Sequence, residues 1–282
     1  TLLLFLCAAL LMSLFGAAFA AENTQTQFFY FSASKESGVI VPPEKLYYTD
    51  PEATVRQVLL ASGHTFKGLE QGWVEQIDGV DGNFNRSDEN GGYDLDARAS
   101  SVRYFCFYEG EQFMTPARLS LIGVMADYLE EDADIQNAAA EEYQAAVSDY
   151  LGVTSESAQS YAAAITAKIN AYKAGQNTKY TVTFSGFSGS DYTVSAVNDY
   201  GKRFEDTGHT GTLQLPAGGY LFSVRQGNRM VSGKITVSGA MTVNASLPTG
   251  DWFNESSLQI SSGYDADFDA NCYAYTLTDH TA

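Results

Sequence analysis

Apolar and polar positions change rhythm several times along the chain. The first 20 residues, TLLLFLCAALLMSLFGAAFA, hold no charged side chain. The apolar run ends in Ala18-Phe19-Ala20-Ala21 before Glu22, the pattern of a signal peptide over residues 1–21 with its cleavage site. A run this long would also span a bilayer. The polar stretch after it carries no positive stop-transfer cluster, so the expectation is cleavage and no membrane insertion afterwards. The run begins within its apolar part, without an initiator Met or basic segment, so the N-terminus is expected to be that of a fragment.

Residues 22–110 read as an α+β module. Phe28-Phe29-Tyr30-Phe31 is an aromatic strand pattern, and Pro42-Pro43 is expected to break the chain. Thr49-Asp50-Pro51-Glu52 reads as a helix start. Asp50 caps, Pro51 fits the first turn, and Glu52 forms a capping box with Thr49. Val55, Val58, Leu59 and Leu60 supply the apolar stripe, and Gly63 the stop. Trp73 to Ile77 reads as a strand ending at Asp78-Gly79. Val102 to Tyr108 reads as another, closed by Glu109-Gly110.

Residues 111–175 read as three helices. Thr115-Pro116 opens the first. The second runs from about Asp134 to Leu151, with Ile135, Ala139, Tyr143, Ala146, Val147 and Tyr150 on one face. Thr154 caps the third, along which Tyr161, Ile165, Ile169 and Tyr172 recur as a core stripe. Residues 176–247 switch to period two. Seven short alternating runs, from Tyr180–Phe184 to Met241–Leu247, are punctuated by Gly, Asn or Pro, which predicts a small β-sandwich. Residues 248–282 hold two more strand patterns, Ser257–Ser261 and Cys272–Leu277, and read as the start of a further truncated β domain. The fold class expected is multi-domain α+β: an α+β module, a short helical bundle, then an all-β sandwich.

Charge sharpens this division. The chain has 282 residues and a net charge of −18. Residues 22–110 and 111–175 carry −7 each, residues 248–282 carry −6, and residues 176–247 carry +2. Such acidity argues against nucleic acid and anionic membrane surfaces as partners. A hydrophobic content of 45% argues against a disordered acidic tail. Cys106 and Cys272 lie outside the leader in distant segments and read as unpaired.

Two segments resemble known modules. Ala53 to Gly63, Gly72-Trp-Val-Glu-Gln-Ile-Asp-Gly-Val80 and Tyr104-Phe-Cys-Phe-Tyr-Glu-Gly110 follow in an order that resembles the β-grasp module similar to the C-terminal domain of transcobalamin. That module recurs in exported proteins of Gram-positive bacteria. Glu109 stands where that family usually has Asn. Residues 178–247, through Leu215-Pro-Ala-Gly-Gly-Tyr220, resemble transthyretin-like sandwiches of the PEGA and carboxypeptidase-regulatory types. These resemblances imply a modular bacterial surface or extracellular protein without enzyme activity, an adhesin, a stalk or a binder of surface glycan or protein. Alternatives are the accessory region of a larger secreted glycan-degrading enzyme and, from the β-grasp resemblance alone, a corrinoid-binding module.

Candidate chemistry is sparse. Asp78 to Gly92 is rich in oxygen donors. An EF-hand frame from Asp81 fails, with Arg86 where Gly is needed and Gly92 where Glu is needed. A looser Ca²⁺ loop using Asp78, Asp81, Asp88 or Glu89 stays open beside the plainer reading of a solvated turn. Asp265 to Asn271 offers a second, equally irregular frame. His64, His209 and His280 are scattered, and no nucleophile elbow, phosphate loop or dinucleotide fingerprint occurs. No catalytic residue and no organic cofactor is therefore assigned. Trp73 and Trp252 are the aromatic candidates for ligand contact, against core packing for Trp73.

Overall fold

The computed structural model describes residues 26–82, 94–109 and 115–247, together with the backbone of 258–265 and 270–277. The signal-peptide expectation falls outside the described residues. Among the described residues the architecture is mixed α and β, with several small sheets and five α-helices. The chain divides into two compact units, Thr1–Glu130 with Glu141–Ala164, and Glu131–Ala140 with Ile165–Ala282. Among the described residues no helix is long and apolar enough to cross a membrane.

The first unit is built on a three-stranded sheet in the order β2-β1-β6, from β1 (Gln27–Lys35), β2 (Gly38–Tyr48) and β6 (Tyr104–Glu109). β1 runs antiparallel to β2 and parallel to β6. Alternation along β1 sends Phe29, Phe31 and Ala33 into a core shared with Phe105 and Phe107 of β6. The proline pair does not break the chain as expected: Pro42 and Pro43 lie inside β2. The strand is at the sheet edge, and its register jumps there, Phe31 facing Glu44 and Ala33 facing Val41. An edge bulge accommodates residues that lack an N–H.

Helix α1 (Val55–Ala61) begins later than its sequence suggests. Asp50 and Pro51 form a turn in which Glu52 N–H bonds the Asp50 carboxylate at 2.9 Å. The capping box is formed instead by Thr54 and Gln57. Val55, Val58 and Leu59 are buried as expected, whereas Leu60 is exposed. Of the run from Trp73 to Ile77, only Gln76–Ile77 pairs, as β4. It lies between β3 (Phe66–Lys67) and β5 (Val80–Asp81) in a second small sheet. β4 and β5 are joined through Asp78-Gly79, both at positive φ, the conformation a two-residue hairpin requires.

Helix α2 (Pro116–Leu129) starts as read, with Thr115 capping and Pro116 in the first turn. The second predicted helix is two, α3 (Ala133–Ala138) and α4 (Ala140–Asp149). The break at Ala139 comes where the chain passes from the second unit back to the first. In the first unit Tyr143 of α4 stacks on Tyr128 of α2, ring centroids 4.0 Å apart. Helix α5 (Ser155–Gly175) has residues in both units.

The second unit carries two sheets. One has the order β10-β7-β13, from β7 (Lys179–Ser185), β10 (Thr212–Pro216) and β13 (Met241–Asn244). The other has the order β12-β11-β8-β9, from β8 (Tyr192–Asn198), β9 (Arg203–Glu205), β11 (Gly218–Gln226) and β12 (Arg229–Val237). Period-two burial places Val182, Phe184 and Leu215 of the first in one core with Val194, Phe222 and Val224 of the second. β12 merges two predicted runs. Gly233 sits between them because the Phe222 ring occupies the space where its Cβ would be, 2.9 Å away. β14 (Leu258–Asp265) and β15 (Ala270–Leu277) form an antiparallel hairpin, so both late strand patterns exist as strands.

Candidate functional site

The second unit has a cleft of about 370 Å³, within the range of small-ligand sites. It forms where β8 ends and the chain turns toward β9. Asn198, at the end of β8, builds that turn. Its Oδ1 accepts from the N–H groups of Tyr200 at 3.0 Å and Lys202 at 2.8 Å. Its backbone N–H bonds the Lys202 carbonyl at 2.9 Å. Gly201, at φ 89°, supplies the left-handed position the reversal needs. Asn is suited to this work because its short amide reaches its own backbone.

The turn is held from outside as well. Asn198 Nδ2 donates to the Tyr172 hydroxyl at 3.0 Å, and that hydroxyl donates to Asp134 Oδ2 at 2.7 Å. Lys202 Nζ reaches the same oxygen at 2.9 Å. Asn137 Nδ2 donates to the Tyr200 carbonyl at 3.0 Å. Asp134 is 8% exposed. Burial alone would raise its pKa, but the bonds from Lys202 and Tyr172 outweigh burial and hold it below the ordinary carboxylate value. Burial and the bond to Asp134 push the Tyr172 phenol upward, so Tyr172 stays protonated as a donor.

This framework presents two consecutive side chains. Tyr200 is 41% exposed, and its ring meets the Tyr172 ring edge to face at 5.1 Å. Asp199 is exposed, and among the described residues no hydrogen bond or ion pair ends on its carboxylate. It lies against Gly219 of β11, where any Cβ would collide with it. Tyr220 completes this side, its phenol bonded to the Pro216 carbonyl at 2.9 Å. Burial, and after it the Asp199 charge, push that phenol up to about 12. Ala138, Ala171 and Ala217 give the cleft apolar walls, Gln176 adds an amide and Lys168 a cationic side chain.

The residues singled out from sequence lie elsewhere. Asp78 belongs to a closed cluster in the first unit. Its Oδ2 is 2.6 Å from His64 Nδ1, and its Oδ1 accepts from Thr65 N–H at 2.8 Å. The other His64 nitrogen is 2.6 Å from Glu44 Oε1. The bond to Glu44 pushes His64 up to about 9, against burial and with help from Asp78. A protonated imidazolium thus fills the position where a cation would meet these carboxylates. Asp81 accepts from Gln76 Nε2 at 2.9 Å, and its carbonyl accepts from Lys35 Nζ at 2.9 Å. Asp88, Glu89 and Trp252 lie outside the described residues. Among the described residues no three His, Cys, Asp or Glu side chains form a metal-holding group.

Trp73 is 41% exposed, and its indole N–H donates to Glu75 Oε1 at 3.2 Å. Its ring therefore lies at the surface of the first unit rather than in the core. Cys106 is buried and unpaired, 3.2 Å from the Ser32 hydroxyl, and burial pushes its thiol up, away from the reactive thiolate. The sequence alone does not mark the cleft residues Asn198, Asp199 and Tyr200. Asn-Asp-Tyr-Gly between two strand patterns signals a turn, and nothing in that pattern says what the turn faces. No protein-family model matches the chain, and neither a curated protein nor a solved structure matches it.

Proposed function

We propose that this chain is a non-enzymatic, exported modular protein of the bacterial surface or extracellular space, whose work is binding a surface glycan or protein in the manner of an adhesin or stalk. The supporting observation is the second-unit cleft. Its lining combines a hydrogen-bonded framework around Asn198 with the exposed Asp199 carboxylate and Tyr200 ring, and adds Lys168 and Gln176 as further polar groups, as a recognition site requires.

The finer architecture belongs to the same proposal. Residues 178–247 make a transthyretin-like sandwich, supported by the single core that both of their sheets share. Residues 27–110 make a β-grasp-like module, supported by a sheet, a capped helix and a late strand in the expected order.

The test is binding of the purified, secreted chain to arrays of bacterial and host glycans and of extracellular proteins. Retention on a defined subset, lost in Tyr200→Ala, is the expected result. Intact mass of the secreted chain should show loss of residues 1–21. Accumulation of uncleaved chain in the cytoplasm would remove the exported role.

A further inference from the structure

We propose that the cleft of the second unit binds a single pyranose of the gluco or galacto type, its ring laid on Tyr200 and two vicinal hydroxyls held by the Asp199 carboxylate. The inference rests on the binding role proposed above and gives it a ligand class and a place.

Size comes first. A cleft of about 370 Å³ lies near the lower end of the range for small-molecule sites, suiting one ring with its hydration rather than an extended polymer face or a large cofactor. The walls come second. A pyranose with mostly equatorial hydroxyls has a flat C–H face and a polar rim. The cleft has the complement: an exposed tyrosine ring, the methyl groups of Ala138, Ala171 and Ala217, and polar groups at Asp199, Lys168 and Gln176. The third point is the carboxylate. An ionised Asp is an acceptor only, with two oxygens, and adjacent sugar hydroxyls are paired donors at matching separation.

Preorganisation is the fourth point. Asp199 and Tyr200 sit inside a turn closed by Asn198 and braced by Tyr172, Asp134, Lys202 and Asn137, so little backbone freedom is lost when a ligand docks. Gly219 matters to this arrangement through the space it leaves, since a methyl group there would displace the Asp199 carboxylate. Its backbone is in the ordinary strand conformation, paired with Thr236, and the three atoms nearest to an added Cβ all belong to the Asp199 carboxyl group, which can swing aside.

The experiment is saturation-transfer NMR on the full chain with methyl β-glucoside and methyl β-galactoside. Each is used at about 10 mM, enough to load a site of millimolar Kd. The expected result is transfer to the ring C–H protons of at least one glycoside and loss of that transfer in Tyr200→Ala. Asp199→Asn should weaken binding about tenfold or more, the scale of a hydrogen bond to a charged group. Gly219→Ala should do the same with the melting temperature and circular dichroism of the parent. No transfer to either glycoside overturns the inference. So does transfer that survives in both Tyr200→Ala and Asp199→Asn, because the sugar then binds elsewhere. Short peptides assayed in parallel separate the two levels. Peptide binding that depends on Tyr200, without glycoside binding, removes the sugar and keeps the binding role. Binding of neither removes both.

Discussion

Two polar clusters, one in each unit, are built from similar residues and end in opposite states. In the first unit His64 has a carboxylate on each ring nitrogen, Glu44 and Asp78, both at 2.6 Å. Asp78 is further engaged by the Thr65 N–H. The cluster closes on itself against the Phe31 and Phe66 rings. In the second unit Asp134, Tyr172, Lys202 and Asn198 close in the same way, but the turn they hold carries Asp199 and Tyr200 outward. A satisfied cluster stabilises one shape, and its charges are no longer available to a ligand. A satisfied cluster that supports unsatisfied neighbours is a pedestal. Conspicuous charge is therefore a poor guide to a site. The residues to examine are those next to the saturated ones.

The comparison can be broken at several points. The largest effect is expected from Phe31→Ala. Its fully buried ring sits 5.7 Å from His64 in the first core, and removal should cost about 3–5 kcal/mol in denaturant unfolding. A cost under about 1 kcal/mol would mean that the clamp does not rest on that core. Next is Asp134→Ala, expected to cost about 1–3 kcal/mol by leaving Lys202 and the Tyr172 hydroxyl without their shared acceptor. It should also weaken ligand binding without touching a ligand-facing residue. Binding that is unchanged in this variant would separate the pedestal from the site.

Acidity gives the third and somewhat smaller effect. The folded pKa of His64, about 9, lies above its ordinary value of 6.5. Its contribution is therefore complete below about pH 6.5 and is lost as pH rises through 9, on the order of 2 kcal/mol. Melting temperature should fall across that window, and His64→Gln should flatten the fall. A parent protein whose melting point is level from pH 6.5 to 9 would contradict a charged clamp. The smallest effect is expected from Asp199→Asn, with stability within about 0.5 kcal/mol of the parent because the carboxylate supports nothing. A larger loss would make Asp199 part of the framework after all.

Much of the fold was legible. Period-two runs located β7, β8, β10 and β11 within a residue or two of their ends, because both sheets bury one face and alternation follows directly. Thr115-Pro116 and Asp78-Gly79 were legible for a different reason: each is a local stereochemical requirement satisfied by the residues themselves. The failures have non-local causes. Pro42-Pro43 reads as a breaker until β2 is known to be an edge strand. Asp50 and Thr54 are both competent caps, and Thr54 prevails where Val55, Val58 and Leu59 meet the core. The site was hardly legible. Asp134 and Lys202 are 68 residues apart, and Tyr172 falls in register with a core stripe although it is half-buried and lines the cleft. No local pattern announces such a meeting.

The strand order β2-β1-β6 sets a timetable. β1 is the middle strand, yet its two neighbours reach it at very different moments of synthesis. β2 follows after a two-residue turn, whereas β6 begins at Tyr104, 69 residues beyond Lys35. As the chain emerges from its N-terminal end, the β1–β2 hairpin is complete early, with Phe29 and Phe31 bare on one face and one edge of β1 unpaired. Helix α1 arrives in the interval and covers part of that face. The other edge waits for Tyr104–Glu109. Until those residues appear, the nascent first unit is a sticky hairpin, and the speed with which its missing strand is delivered governs how long it stays one.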